Sequence, residues 1–346
     1  MQELIVPFTQ EGRPLYRFLL KQYPQFSKDF IFKLIRKRRV KINGKRGDYD
    51  DILCTGDRIV FSLKELEAET EALAIPDEDE PAITAEEIDQ LLAKFPIIYE
   101  DEHVMVVFKP IGILSQSNLT DQNDDLIHLV NRYLRLKNPR AFRDFVASSI
   151  NRLDRNTEGL VLFGKTYQAL RVLNESMREK KIHKFYLGVV KGEFNRELSL
   201  RHYIQKSQDE NIAVIYDINV PGSALCESRI FPLAIGETIS LVGMELITGK
   251  SHQLRAQLAY IEHPIVGDPK YGEKDINDFF FHNYDINSQL LLAYQLRFQG
   301  IHPPVQYLNY QVFRSPAEAR LLTFSEEYFG KLSEIFLRAK VPALKP

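Results

Sequence analysis

Leu15, Phe18 and Leu19 recur at the spacing of one helical face, and Pro14 ahead of them suits a helix's first turn. A second apolar face follows at Phe30, Ile31, Leu34 and Ile35, with Ser27 placed to serve as its N-cap. Val40 and Ile42 then alternate with Lys41, and Asn43-Gly44 is the residue pair of a tight hairpin turn. Two short helices and a hairpin are therefore expected near the N-terminus. From Phe95 onward the pattern changes. Val104 to Phe108 reads as a buried strand stopped by Lys109-Pro110, and Leu160 to Phe163 as another. Helical periodicity runs over Leu126 to Leu136 and over Tyr167 to Glu179, while Phe185 to Val190 and Ile239 to Ile247 read as strands. A last helix is expected from Ser251 to Ile261, burying Leu254, Leu258 and Ile261. These strands do not alternate with helices in regular βαβ units. The predicted class is α+β, with a mixed, largely antiparallel sheet and a small N-terminal α/β module.

A chain of 346 residues is long enough for a full core plus such an appendage. No apolar run is long enough to span a bilayer, and Met1 to Pro7 lacks the basic flank and long apolar stretch of a signal peptide. Cys54 and Cys226 are too few for a disulfide framework or a zinc site, which points to a reducing cytoplasm; a monomer is expected. The net charge of -2 conceals a strong asymmetry. Between residues 13 and 46 lie Arg13, Arg17, Lys21, Lys28, Lys33, Arg36, Lys37, Arg38, Arg39, Lys41, Lys45 and Arg46, against Asp29 alone. Binding follows local fields, so this stretch is a candidate nucleic-acid surface. Residues 64–94 are acidic, with Glu65, Glu67, Glu69, Glu71 and the run Asp77 to Glu80, and read as a self-repelling linker with a short helix over Ala85 to Lys94. The expected division is a nucleic-acid-binding module over 13–63, the linker over 64–94 and a catalytic domain over 95–335.

Gly159 to Thr166 satisfies the phosphate-loop expression, yet its four intervening residues are large and apolar, better suited to a strand than to wrapping an anion. The polar segment before it is more informative. Asp154 stands in a loop ahead of a buried strand, a rigid mount for a catalytic carboxylate, and Arg152 and Arg155 beside it would keep it ionised. His252 has no Ser or Cys at a readable spacing, and no His/Cys/Asp cluster has metal-ligand spacing.

Arg152-Leu153-Asp154, Thr157, Gly159-Leu160 and Lys165 resemble the signature of RluA-type pseudouridine synthases, with Asn151 where His is usual and Glu158 where Ser is usual. Three further blocks in the family's order support the resemblance. They are Tyr99-Glu100-Asp101 through Lys109-Pro110-Ile111-Gly112, then Lys184-Phe185-Tyr186 through Gly192 with Gly188 for Ala, then Thr248 through Arg255, which leads into Gly267-Asp268-Pro269 and carries Gln257 where His is common. Arg39-Val40-Lys41-Ile42-Asn43-Gly44-Lys45 and Gly56-Asp57-Arg58-Ile59 likewise resemble an S4 domain, a small RNA-binding module.

The resemblance implies an isomerase that detaches uracil and rejoins it through carbon, with large-subunit ribosomal RNA as the expected substrate and transfer RNA as the alternative. Asp154 would act as nucleophile or base, Arg255 would orient it, and Tyr186 would stack on the excised uracil and could serve in proton transfer. Arg152 would fill the space left by the extruded base. RNA contacts are expected from Lys28, Lys33, Arg36, Lys37, Arg38, Arg39, Lys41 and Lys45. No metal, nucleotide or redox cofactor is implied. Two rivals are a catalytically silent RNA-binding factor, against which Asp154, Tyr186 and Arg255 argue, and a glycoside hydrolase, for which no second carboxylate pairs with Asp154.

Overall fold

The computed structural model describes residues 2–23, 28–37, 39–61, 85–116, 125–139, 142, 145–207, 212–332 and 334–335. Ser27, Arg38 and the acidic run Asp77 to Glu80 lie outside the described residues, as does the side chain of Lys33.

The N-terminal unit contains β1 (Gln2–Ile5), a 3-10 turn at Phe8–Gln10, α1 (Leu15–Gln22), α2 (Lys28–Arg36), β2 (Val40–Ile42), β3 (Lys45–Arg46) and β4 (Arg58–Phe61). Its strands pair antiparallel in the order β1-β4-β2-β3. The two helices pack Leu15, Phe18, Leu19, Ile31, Leu34 and Ile35 on Val40, Ile59 and Phe61 of the sheet. Asn43 (φ 51°) and Gly44 (φ 81°) occupy the positive-φ positions that a two-residue hairpin turn requires. Asn43 also accepts the Arg58 N–H at 2.9 Å and donates to Asp57 at 2.7 Å, so the Asn-Gly and Gly-Asp pairs lock one another. The unit begins ahead of residue 13, because β1 forms the sheet's edge against β4. A strand of four residues leaves almost no periodic signal.

The larger unit starts with α3 (Ala85–Leu92), β5 (Ile97–Glu100), β6 (Val104–Lys109), α4 (Leu126–Lys137), β7 (Ser148–Ser149), β8 (Glu158–Gly164) and α5 (Tyr167–Arg178). It continues through β9 (Ile182–Lys191), β10 (Leu198–Lys206), β11 (Ala213–Tyr216), β12 (Ala224–Ala234), β13 (Ile239–Leu246), α6 (Gln253–Tyr260), α7 (Lys274–Tyr284), β14 (Leu291–Phe298), β15 (Val312–Arg314) and α8 (Arg320–Phe329). Among the described residues these strands form one sheet of 11, ordered β11-β10-β12-β13-β9-β14-β8-β6-β5, with β15 beside β14 and β7 beside β8. Every pairing is antiparallel except β14 with β8. This is the mixed, largely antiparallel sheet expected.

Alternation along β9 distributes the core. Tyr186 and Val190 face one side with Leu126, Leu129 and Val130 of α4 and Leu254 and Leu258 of α6. Phe185, Leu187 and Val189 face the other, against Phe280 of α7 and Leu321, Leu322 and Phe324 of α8. Strands β6 and β8 are buried at every position, which is why they read as unbroken apolar runs. No helix among the described residues is long and apolar enough to cross a membrane.

Candidate active site

The loop carrying Asp154 is pinned at several points. Lys109 at the end of β6 is fully buried, and its ammonium donates to the carbonyls of Pro110, Ile113 and Arg155 at 2.9, 2.8 and 3.0 Å. Three acceptors offset part of the cost of burying that charge, and burial still lowers its pKa to about 7. The Ser115 hydroxyl donates to the Leu153 carbonyl at 2.8 Å and accepts the Leu153 N–H at 2.9 Å. Asn151 donates to the Leu160 carbonyl at 3.1 Å and accepts from Leu162 N–H at 2.9 Å, substituting a side-chain amide for a missing strand neighbour. The residue that departs from the family signature at 151 thus has a structural task. So does Glu158. Its buried carboxylate accepts the N–H groups of Arg320 and Leu321 at 3.3 and 3.0 Å, capping α8 where the helix dipole favours negative charge.

The apparent phosphate loop is disposed of by the same geometry. Residues 159–163 are strand β8; the Lys165 ammonium donates to Glu100 and to the Asp101 carbonyl, both at 2.6 Å; and Thr166 caps α5 by accepting from Ala169 N–H at 3.2 Å.

Asp154 opens onto a cavity of about 650 Å³ lined also by Arg152, Lys184, Tyr186, His252 and Arg255. That volume suits a nucleoside-sized ligand. The Arg255 side chain, 5% exposed, donates from Nη1 to Asp154 Oδ2 at 2.8 Å. Its other face grips the fully buried Asp268 through Nε at 2.7 Å and Nη2 at 2.8 Å. Burial opposes the guanidinium charge, but the bonds and charge of Asp268, followed by those of Asp154, outweigh it and raise the pKa. Asp268 is in turn fixed by the N–H groups of Lys270 and Tyr271 at 2.9 and 3.1 Å. The result is a relay from rigid backbone through Asp268 and Arg255 to Asp154. Removing one member of the buried pair would leave a bare charge, a cost of about 3–5 kcal/mol. Arg152 and Arg155, expected to flank Asp154 electrostatically, are exposed and are not its ion-pair partners among the described residues; Arg255 takes that place.

Tyr186, on the central strand β9, lines the same cavity and is 5% exposed. Burial, reinforced by the charge of Asp154, raises its pKa and keeps the phenol protonated. It therefore offers a ring face and a hydroxyl donor rather than a standing base. His252 adopts the left-handed conformation (φ 56°) at the start of α6, with Nδ1 2.9 Å from the Tyr271 hydroxyl and Nε2 3.9 Å from Asp154. Burial lowers its pKa, which favours the neutral ring. Sequence spacing left His252 without a partner, and the fold supplies one.

Two residues of the site were not singled out in the sequence. Asp268 sits inside a quoted motif, and only its burial against Arg255 reveals its task. Lys184 lies two residues from Tyr186 and lines the cavity, with burial lowering its ammonium to about 8. Gln257, where His is common, is buried in a polar cluster, accepting from Ser228 at 3.0 Å and lying 3.3 Å from His202. Among the described residues no group of His, Cys, Asp or Glu is arranged to hold a metal ion. The exposed basic residues of the N-terminal unit include Lys28, Arg36, Lys37, Lys41 and Lys45, while Arg39 is half-buried.

A carboxylate held by a buried guanidinium thus opens onto a nucleoside-sized cavity in a mixed, largely antiparallel sheet. Residues 103–260 match the family described as RNA pseudouridylate synthase. An uncharacterized RNA pseudouridine synthase of Mycoplasma genitalium is 29% identical over 307 residues, covering 86% of this chain and 88% of that protein. The ribosomal large subunit pseudouridine synthase C of Vibrio parahaemolyticus is 28% identical over 311 residues, covering 90% and 91%. The solved structure of human RNA pseudouridylate synthase domain containing 4 shares the fold, with a TM-score of 0.54 at 17% identity over 69% of this chain and 94% of that one. The chain is an RNA pseudouridine synthase of the RluA type, an isomerase whose substrate is RNA.

Proposed function

We propose that this synthase isomerises uridines of large-subunit ribosomal RNA, with Asp154 as nucleophile, Arg255 as its positioning residue and Tyr186 against the uracil. The single observation that carries the site assignment is the 2.8 Å bond from Arg255 to Asp154 at the mouth of the cavity. Relatives named ribosomal large subunit pseudouridine synthase C, from Vibrio parahaemolyticus and other bacteria, support the choice of RNA. Transfer RNA is the alternative substrate.

In this reading the target uridine is extruded, because the reacting atoms are shielded within a stacked strand, and Arg152 takes the vacated space. Asp154 attacks C1′ of the ribose as the N1–C1′ bond breaks and its electron pair stays with the uracil. The base turns against Tyr186, C5 displaces the carboxylate at C1′, and the C5 proton departs as N1 gains one. Arg255 holds Asp154 in the attacking orientation throughout. The N-terminal unit acts as an S4-type RNA-binding module, its exposed lysines and arginines pairing with phosphates rather than reading bases. We further propose that the enzyme acts in the cytoplasm as a monomer.

The test is Asp154→Asn, which keeps volume and hydrogen-bonding capacity but removes the nucleophile. Tritium release from C5-labelled uridine in large-subunit RNA is expected to fall by roughly 10³-fold or more while RNA affinity is retained. Near-normal release by this variant would sink the assignment of Asp154. Release from transfer RNA but not from ribosomal RNA by the unaltered enzyme would move the substrate to the alternative.

A further inference from the structure

Helix α5 connects the two units of the molecule. At its start, the Arg13 guanidinium of the N-terminal unit lies 4.4 Å from the centre of the Tyr167 ring. Gly12 approaches so closely that a Cβ there would stand 2.8 Å from the Gln168 side chain. At its end, Met177, Arg178 and the following Lys180 line the cavity that holds Asp154. The helix buries Ala169, Val172, Leu173 and Ser176. Opposite that face, Tyr167, Arg171, Asn174 and Arg178 follow one another at four-, three- and four-residue steps, a single stripe along the axis. No acidic residue lies on the stripe. Glu175 flanks it, Glu179 pairs with Lys181 at 2.6 Å, and Lys180 pairs with Glu227 at 3.0 Å. Arg171 and Arg178 are exposed, and neither makes an ion pair among the described residues.

Two unpaired guanidinium groups on one stripe, seven residues and so about 10 Å apart, suit an occupant with evenly spaced anionic groups. Stacked nucleotides place one phosphate roughly every 3.4 Å along a strand, so that span covers about three phosphates. Arginine on a helix face is well adapted to such oxygens through its planar fork.

We propose that α5 is a track for the RNA backbone: a single strand runs from the N-terminal unit along Arg171 and Arg178 into the cavity. The helix thereby fixes the number of nucleotides between the basic module and the extruded uridine. This rests on the assignment of the cavity as the uridine site.

Two experiments on the full-length protein test the track. In the first, Arg171→Glu and Arg171→Ala are titrated against a large-subunit ribosomal RNA transcript over a range of salt. The expected result is several-fold weaker affinity, with the log–log salt slope shallower by roughly 0.7–0.9 for each phosphate no longer neutralised. Arg171 is exposed and outside the cavity, so folding is not at stake. In the second, an iron–EDTA probe is tethered at Arg171→Cys in a Cys54→Ser background, since Cys54 is exposed and Cys226 buried. Backbone cleavage is expected at a constant offset of a few nucleotides on one side of the modified uridine. Unchanged affinity and slope, or cleavage scattered without a fixed offset, would overturn the track. If the enzyme fails to modify ribosomal RNA yet Arg171→Glu still weakens RNA binding with a shallower slope, the track stands and the substrate assignment falls.

Discussion

At the residue scale, Lys184 shows what the site costs. Strand β9 runs through the middle of the sheet and places Tyr186 in the cavity that Asp154 lines, and the same path carries Lys184 into a buried setting 8% exposed. No salt bridge to Lys184 occurs among the described residues; burial alone moves its pKa from the ordinary 10.5 to about 8. Between those values the unfolded chain binds more protons than the folded one, so stability rises with pH across that window. Below about 8 the full penalty is present, on the order of 3 kcal/mol, and above 10.5 it is gone. Lys184→Met is therefore expected to raise the melting temperature at pH 7, with the gain shrinking steadily from pH 8 to pH 10.5. Thermal unfolding across that pH range measures it, and a gain that did not change with pH would assign the effect to packing rather than charge. Retention of such a residue despite its cost is the usual mark of a group serving substrate rather than fold.

Elements differ in how plainly the sequence announces them, and the difference is physical. Strands β6 and β8 are buried on both faces and so read as apolar runs, and α4 and α5 show a single apolar stripe. Strands β10, β11 and β12 mix exposed, half-buried and buried positions and escaped notice, as did α7, whose three successive phenylalanines break helical periodicity and only one of which is buried. Helix α6 is a special case. It buries Gln253, Arg255 and Gln257 alongside Leu254 and Leu258, so its polar residues face inward and its expected apolar stripe accounts for only part of its packing. Asp154, Tyr186 and Arg255 were legible as motif positions. Asp268 as a clamp, and His252 as a neighbour of Asp154, depend on contacts across the fold that no local pattern encodes. Glu158 is the sharpest instance, since it serves a helix 162 residues away in sequence. Glu158→Ala would uncap α8 and is expected to destabilise the enzyme by about 1–2 kcal/mol, read as a lower denaturation midpoint with kcat preserved in the folded fraction. A stability equal to the unaltered enzyme's would show that Arg320 and Leu321 find other acceptors.

On the scale of the whole molecule, an overall charge near zero is compatible with RNA binding because the basic residues are concentrated and the acidic ones set apart. The proposed delivery of RNA from the basic module to Asp154 depends on how the two units dock. Phe8 packs on His103 with ring centroids 5.2 Å apart, and Lys21 lies 4.9 Å from the centre of the Phe145 ring. Arg13 reaches both Tyr167, at 4.4 Å, and Phe145, at 6.0 Å, while its Nε makes no hydrogen bond among the described residues. Burial lowers the pKa of this guanidinium, so the contact works by stacking and cation–π attraction against a desolvation cost. A contact of that kind is worth about 1–2 kcal/mol and adds to the Phe8 and Lys21 contacts that hold the same joint. Arg13→Ala is expected to loosen the module from α5, increasing the radius of gyration in small-angle scattering. If the module and α5 together deliver the strand, affinity for a long ribosomal RNA should fall several-fold while kcat at saturation is kept. Unchanged affinity in a variant whose scattering shows a released module would mean that the module contributes only as a tethered patch of charge and that its fixed docking has no part in delivering the uridine.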